Sequence, residues 1–332
     1  MIIRSVELTN FRNHSHYLLE CNDETSLILG PNGWGKTSIL EAIYILTRGK
    51  SFRATDRDIL KRSADFYRIT LNYDNGESIT ATFDGKTKYF NTVDKKTKRL
   101  PAKNKYPVIL FVPSDLNLIS HSPGRRRDYF DRIFSQLDEQ YNTDLSRYNK
   151  AIKQRNELLK TEGVTKESLF TWNLLLAKHG AALNNKRSQL TKEINSLLTS
   201  TYRSIAKNQD EAEVVYHTEI TQPTESSYLK TLELNTERDL YLGHTTFGVH
   251  RDDYLFNFNH QTADANASRG ETRSVILALK FIEANLINNY LGQTPIILLD
   301  DVFSELDESR RHCLIDNFKN HQVIITSVES IG

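Results

Sequence analysis

Along the first third of the chain, apolar and polar residues alternate in short runs bounded by turn residues, the period-two pattern of strands with one buried face. IIRSVELTN, TSLILG, YRITLNYD, ESITATFDG and PVILFV read as strands, and the DNG at Asp74–Gly76 and DG at Asp84–Gly85 supply turn chemistry for hairpins. One stretch departs from this period: TSILEAIYILT, from Thr37 to Thr47, has its apolar positions spaced for a helix. The pattern predicts a partly antiparallel β layer with one early helix.

From Arg126 to about Ala206 the period becomes helical, with Phe130, Ile133, Phe134 and Leu137 on one face. Leucines recur at every seventh position, Leu169, Leu176, Leu183, Leu190 and Leu197, but His179, Lys186 and Glu193 interrupt the second seam a coiled coil would need. This favours a long helix packed on its neighbours over a free dimer zipper. Gly163, in TEGVT, offers a break between helices, NQDEAEVVYHTEITQPTESS returns to strand and loop, and the last ninety residues or so alternate strand and helix again. Neither flank looks complete alone. The expected division is an α/β head in two parts, residues 1–120 and 211–332, around a helical insertion at 121–210.

Composition narrows the class without naming it. Hydrophobic residues are 38% and charged residues 26%, ordinary globular values that leave no compositional case for disorder. No apolar run approaches the ~20 residues of a spanning helix, and MIIRSVELTNFRNH lacks the apolar centre of a signal peptide, so the cytoplasm is the expected location and no membrane partner is expected. Cys21 and Cys313 form no metal-ligand cluster and read as packing residues. The net charge of +1 hides basic runs at Asp94–Lys105 and Gly124–Arg127 and acidic ones at DEQYNTD and LLDDVFSELDE, so an anionic partner would be met by patches.

The chemistry is concentrated in three segments. Gly30, Gly35, Lys36 and Thr37 stand in the G-x-x-x-x-G-K-[ST] spacing, after an apolar strand and before the early helix. Glycines there allow backbone N–H groups to close around phosphate oxygens, Lys36 can meet the outer phosphates, and Thr37 can ligate Mg2+. Far downstream, the apolar strand Ile296–Leu299 ends at Asp300, placed to hold the magnesium opposite the loop, and Asp301 follows, placed to polarise an attacking water. Two aspartates at a strand end are also ordinary turn or cap residues. The third segment, NASRGETRSVILALKFIEANL, puts Ser268, Gly270 and Glu271 at the start of a long amphipathic helix. It reads either as an S-x-G-[EQ] signature that receives phosphate at a helix N-terminus or as a capping box. Together, loop, aspartates and signature define an ABC-type arrangement in which one copy's signature completes the ATP site of the other.

Across nearly its whole length the chain resembles the RecF proteins of bacterial recombinational repair. The resemblance is carried by LTNFRNH around Arg12 and Asn13, GPNGWGKTSILEAIYIL, GKSFR, PSDLNLISHSPGRRRDYFD, FGVHRDD and LLDDVFSELDESRRHCL. It implies an ABC-type P-loop ATPase head with a partly antiparallel β lobe and an inserted helical domain. It also implies an ATP-dependent homodimer, slow DNA-stimulated hydrolysis, binding to gapped DNA or single/double-strand junctions, and assistance to RecA loading with the partners RecR and RecO. Carried over by position, the phosphate loop is Gly30, Pro31, Asn32, Gly33, Trp34, Gly35, Lys36, Thr37 and Ser38. Asp300 is then the magnesium carboxylate, Asp301 the residue beside the attacking water, Ser268 and Gly270 the trans signature, Ser304–Asp307 the loop crossing the dimer interface, and Arg12 a basic residue near the nucleotide.

Departures from the family pattern are Arg269 and Glu271 around the signature glycine, Thr326 and Ser327 where transporters carry a switch histidine, and an end at Gly332 that is early for the family. Arg53, Arg57, Lys61, Arg62 and the Lys95–Lys105 run are the expected DNA contacts, and Arg125, Arg126 and Arg127 divide equally between internal bonding and the DNA groove. Two rival readings share the phosphate loop. A transporter ATPase subunit has nothing like SPGRRRDYFD; in a DNA clamp with vestigial hydrolysis, ATP would only close the dimer.

Overall fold

A computed structural model describes residues 1–328, in two compact units: Met1–Asp115 with the segment from Glu283 onward, and Leu116–Ile282.

The first unit is built from two sheets and a central helix. Strands β1 (Ile3–Phe11), β2 (His14–Glu20), β4 (Tyr67–Tyr73), β5 (Ser78–Phe83), β6 (Lys88–Asn91) and β7 (Lys96–Thr97) form an antiparallel sheet in the order β2-β1-β4-β5-β6-β7. Strands β3 (Thr25–Leu29), β8 (Val108–Phe111), β12 (Ile296–Asp300) and β13 (Val323–Ser327) form a parallel sheet in the order β3-β13-β12-β8. The alternation in β4 is regular: Tyr67, Ile69, Leu71 and Tyr73 are buried, and Arg68, Thr70 and Asn72 face away. Both hairpin turns fall where DNG and DG predicted them. Helix α1 (Lys36–Arg48) packs against strands of both sheets, so almost all of it from Lys36 to Thr47 is buried, and apolar residues dominate it. Its Ile39, Leu40, Ile43 and Leu46 join Val6, Leu8, Ile69, Leu298 and Ile324 in one core, each contributing roughly 1.5–3 kcal/mol of burial. The short α2 (Asp56–Ile59) and α10 (Glu308–Phe318) complete this unit.

The second unit holds α3 (Pro123–Leu137), α4 (Glu139–Leu158), α5 (Lys166–Ala206), α6 (Glu225–Leu234), α7 (Thr236–Leu242), α8 (Ala263–Asn266) and the start of α9 (Arg269–Leu291). It also contains an antiparallel sheet, β11-β10-β9, from β9 (Ala212–His217), β10 (Asp253–Phe258) and β11 (Gln261–Thr262). The expected division at 121–210 is therefore corrected: the unit runs on to Ile282, and the strand-rich stretch after 211 together with Ser268 and Gly270 belongs to it. The reason lies in pairing, since β9 takes β10 as its partner and Tyr254 stacks on Phe130 of α3 with ring centroids 4.1 Å apart.

The leucine seam of α5 is covered within the unit by α4, α6 and β9. Leu169, Leu176, Leu183 and Leu190 are buried, but the seam then shifts to Ile194, Leu198, Tyr202 and Ile205, leaving Leu197 half-buried. A straight helix of 3.6 residues per turn drifts off a seven-residue repeat in this way. Among the described residues no helix is long and apolar enough to cross a membrane.

Candidate functional site

The loop from Gly30 to Gly35 leaves the end of β3 and turns into α1. Gly35 adopts φ +101, and a Cβ there would lie within about 2.5 Å of His14 Nε2 and closer still to Asn13, so only glycine fits. Those two residues hold the loop from the β1–β2 hairpin: Asn13 Nδ2 donates to the Trp34 carbonyl at 2.8 Å, and His14 Nε2 lies 3.2 Å from the Gly35 carbonyl. Trp34 packs edge-on against His14 and Tyr17. No side chain caps α1 and no carboxylate stands in its first turn, which leaves its N-terminal N–H groups for an anionic ligand. The buried Lys36 ammonium donates to the carbonyls of Gly30 at 2.5 Å and Pro31 at 3.2 Å.

Opposite the loop, the C-terminal end of β12 presents Asp300. Thr37 Oγ1 donates to its carboxylate at 2.8 and 2.9 Å, and Thr326 Oγ1, from neighbouring β13, donates to Oδ1 at 2.9 Å. Thr326 also accepts the Asp301 N–H at 3.0 Å. Asp301 sits in the left-handed region at φ 52, and its side chain caps no helix, against the bland reading of a cap residue. Partial burial raises the Asp301 carboxyl above its ordinary value, and Asp300 and Glu305 push the same way against Lys36. A hydroxyl and a carboxylate in contact form a hard-oxygen pair that suits Mg2+, so Thr37 and Asp300 are the residues that fit that ion.

A third feature was not anticipated. Glu41, fully buried in the middle of α1, accepts five hydrogen bonds: Arg12 Nε at 2.9 Å and Nη2 at 2.8 Å, Arg53 Nε at 3.1 Å and Nη2 at 2.9 Å, and Ser51 Oγ at 2.5 Å. Burial alone would raise this carboxyl, but the bonds from Arg12, Arg53 and Ser51 outweigh it and hold it below the ordinary value. A lone carboxylate within the apolar run ILEAIYIL was the available signal. Its effect is to fix two guanidiniums at the rim of a cavity of about 700 Å³, whose lining includes Arg12, Asn13, Lys36, Thr37, Arg53, Lys61, Arg62, Asp300 and Asp301. Five cations against three carboxylates, with Asp58 the third, favour a polyanion, and the volume is in the range of small-molecule sites.

The structure thus gathers Arg12, the phosphate loop and both aspartates in one place. Ser268 and Gly270 are not in this lining; they open α9, where Ser268 N–H donates to Glu271 Oε2 at 2.6 Å and Glu271 N–H to Ser268 Oγ at 3.3 Å. The capping-box geometry is therefore realised, with Ser268 exposed. Ser304–Asp307 follows β12, and Asp307 caps α10 by accepting the Arg310 N–H at 2.9 Å.

Of the expected DNA contacts, Arg53 is committed to Glu41 and Lys61 bonds to Ser15, so both belong to the cavity rim, as does Arg62; Arg57 is exposed on α2. In the Lys95–Lys105 run, Lys103 pairs with Asp94 at 2.6 Å and Lys96 lies 4.4 Å over the Tyr89 ring. Arg126 binds Asp253 through two bonds of 2.8 and 2.6 Å and Arg127 donates to the Asp252 carbonyl at 2.6 Å, so these two bond internally and Arg125 alone is exposed.

Comparison with known proteins gives a consistent result. Residues 1–268 match the AAA ATPase domain family. The DNA replication and repair protein RecF of Lachnoclostridium phytofermentans is 34% identical, over 98% of this chain and 92% of that one. Its counterpart in Clostridioides difficile is 32% identical over 99% of this chain and 92% of that one. A solved structure of the recombination mediator protein RecF with ATP in the RecFOR pathway superposes with a TM-score of 0.88 at 26% identity, covering 99% of this chain and 92% of that one. The Smc head domain of Pyrococcus furiosus, at TM-score 0.52 and 14% identity over 99% of this chain and 90% of that one, shares the fold alone.

Proposed function

Since the chain belongs to the RecF family of DNA replication and repair proteins, we propose that it is an ATP-driven DNA-binding protein of recombinational repair. In this reading ATP closes two copies into a dimer on gapped DNA or a single/double-strand junction. Slow, DNA-stimulated hydrolysis to ADP and phosphate then releases it, and the bound protein assists RecA loading together with RecR and RecO.

The observation that carries the reading is the contact of Thr37 Oγ1 with Asp300 at 2.8 Å across 263 positions of sequence. It joins the phosphate loop to the strand-end carboxylate and leaves Asp301 beside them with a raised carboxyl. Lys36 and the α1 N-terminus would bind the phosphates, and Arg12 and Arg53, held by Glu41, would fix their orientation. Mg2+, held by Thr37 and Asp300, would neutralise phosphate charge. Asp301 would orient and deprotonate a water, and its reach, one methylene shorter than a glutamate's, would suit slow turnover. Dimer closure supplies the missing half-site, because the exposed start of α9, with Ser268 and Gly270, would meet the nucleotide bound by the other copy. Loss of those contacts on hydrolysis would make the dimer a switch.

The test is binding to a gapped duplex over a salt series, with and without ATP, using Lys36→Ala as control. ATP should strengthen wild-type binding and leave the control unchanged. Binding that is absent, or indifferent to nucleotide, refutes the reading.

A further inference from the structure

The segment Thr245–Asp253, TTFGVHRDD, joins α7 to β10 in the second unit and is used by nothing in the nucleotide site. Its backbone and side chains are bonded to almost every surrounding element. Thr245 takes a 2.7 Å bond from Arg155 and gives 2.8 and 2.7 Å bonds to Asn156, while Thr246 N and Oγ1 donate to Asp239 at 2.8 and 2.6 Å. Val249 N–H donates to the Tyr228 hydroxyl at 2.9 Å, and its carbonyl accepts from Arg187 at 2.7 Å. His250 donates from Nε2 to the Thr245 carbonyl at 3.1 Å, which leaves Nδ1 to accept from Tyr148 at 2.8 Å. Gly248, at φ +131, passes so close to the Tyr148 and Tyr228 hydroxyls that any Cβ would overlap them.

Within these nine residues a single side chain is exposed, that of Arg251. Its backbone N–H donates to the Gly248 carbonyl at 2.7 Å and its Nη2 to the Thr245 carbonyl at 3.2 Å, while among the described residues nothing engages Nε or Nη1 and no carboxylate pairs with it. Burying and bonding so many polar groups around one loop holds a rigid backbone, and what that backbone displays is one oriented guanidinium. Arg127, tied to the Asp252 carbonyl, adds a second positive charge beside the same loop; the carboxylates nearest it, Asp131 and Asp253, are already engaged by Arg187 and Arg126, and Asp128 is exposed. Burial, with Arg251 and Arg127 adding to it, lowers His250 to about 4, so the imidazole stays neutral at pH 7 and the positive charge of the loop rests on the arginines.

We propose that Arg251 is a fixed phosphate-binding residue whose exposed guanidinium, anchored through Nη2, donates its remaining N–H groups to the oxygens of a phosphate group. The proposal rests on the function above, which offers two sources of that chemistry: the backbone of bound DNA, and the terminal phosphate of a nucleotide held by a second copy.

Arg251→Ala and Arg251→Lys separate them. Both should melt as the wild type does, since the side chain is exposed. If the source is DNA, Arg251→Ala loses about one unit from the slope of log affinity against log salt, as expected for one phosphate contact, and Arg251→Lys keeps most of it. If the source is the second copy's nucleotide, DNA binding without ATP is unchanged and ATP-induced dimerisation measured by light scattering weakens about tenfold in Arg251→Ala. A folded Arg251→Ala protein matching wild type in both assays overturns the proposal. Wild-type protein that neither binds DNA nor dimerises with ATP overturns the functional reading with it.

Discussion

Replacing Glu41 with glutamine keeps the shape of the side chain and changes only its charge and one acceptor. In the wild type the two oxygens receive five bonds, two at Oε1 and three at Oε2. The glutamine amide that puts its NH2 group on the Oε1 side, where only two of the five bonds fall, loses the Arg12 Nη2 bond and the bond from the Ser51 hydroxyl, whose oxygen already accepts the Arg53 and Ala54 N–H groups. The three remaining arginine bonds weaken from charged to neutral acceptors. A hydrogen bond to a charged group is worth about 1.5–3 kcal/mol, but the arginine side chains are 22% and 37% exposed and recover part of this from water. The expected cost is therefore about 2–3 kcal/mol. Spread over the unfolding entropy of a chain this size, that is a melting temperature lower by about 3–4 °C.

The dependence on pH has a definite sign. Because the folded-state carboxyl of Glu41 lies below its ordinary value, its stabilisation is fully present above the unfolded pKa of about 4.3 and is lost as pH falls through the folded one. The gap between wild type and Glu41→Gln should be constant from pH 6 to 8 and narrow below about pH 4. Released guanidiniums also no longer hold position at the cavity rim, so affinity for a fluorescent ATP analogue should fall by about tenfold. Thermal melting across a pH series, with nucleotide titration at pH 7.5, measures both. A variant with wild-type melting and wild-type affinity would refute the claim that Glu41 organises the site.

Other perturbations test other parts. Gly35→Ala should abolish nucleotide binding and lower the melting temperature, because its Cβ meets Asn13 and His14; calorimetric titration with ATP reads it. Arg155→Ala removes the partner of Asp239, with both side chains wholly buried, and should cost about 3–5 kcal/mol in urea unfolding, far more than an exposed pair such as Lys166 with Glu237. Ser268→Arg should bind ATP normally yet remain monomeric on size exclusion with ATP, at a capping cost of about 1 kcal/mol; normal dimerisation would remove the trans half-site from the scheme.

What could be read from the chain alone was local. Strands β1, β4 and β5 of the antiparallel sheet, α1 and the two hairpin turns follow from periods of two and 3.6 and from turn residues, all of which act within a few positions. The position of the glycine loop between β3 and α1 and that of Asp300 at a strand end were legible for the same reason: glycines at fixed spacing mark a tight strand-to-helix turn, and a strand-end carboxylate announces itself after an apolar run. β2 was missed, since an exposed Leu18 between Tyr17 and Leu19 hides the alternation of HSHYLLE, and the short β6 and β7 were missed with it.

Tertiary structure decided everything that depended on partners distant in sequence. Whether β9 returned to the head or paired within the second unit was settled by β10, some forty residues later. Arg53 reads as a free surface cation until folding puts Glu41 against it, and Arg126 until Asp253 arrives from β10. Glu41 itself looks like a solvated helix residue, because its burial depends on two sheets closing over α1. A charge has no periodicity to betray its partner, so which cations stay free for a ligand is determined only when the chain has packed.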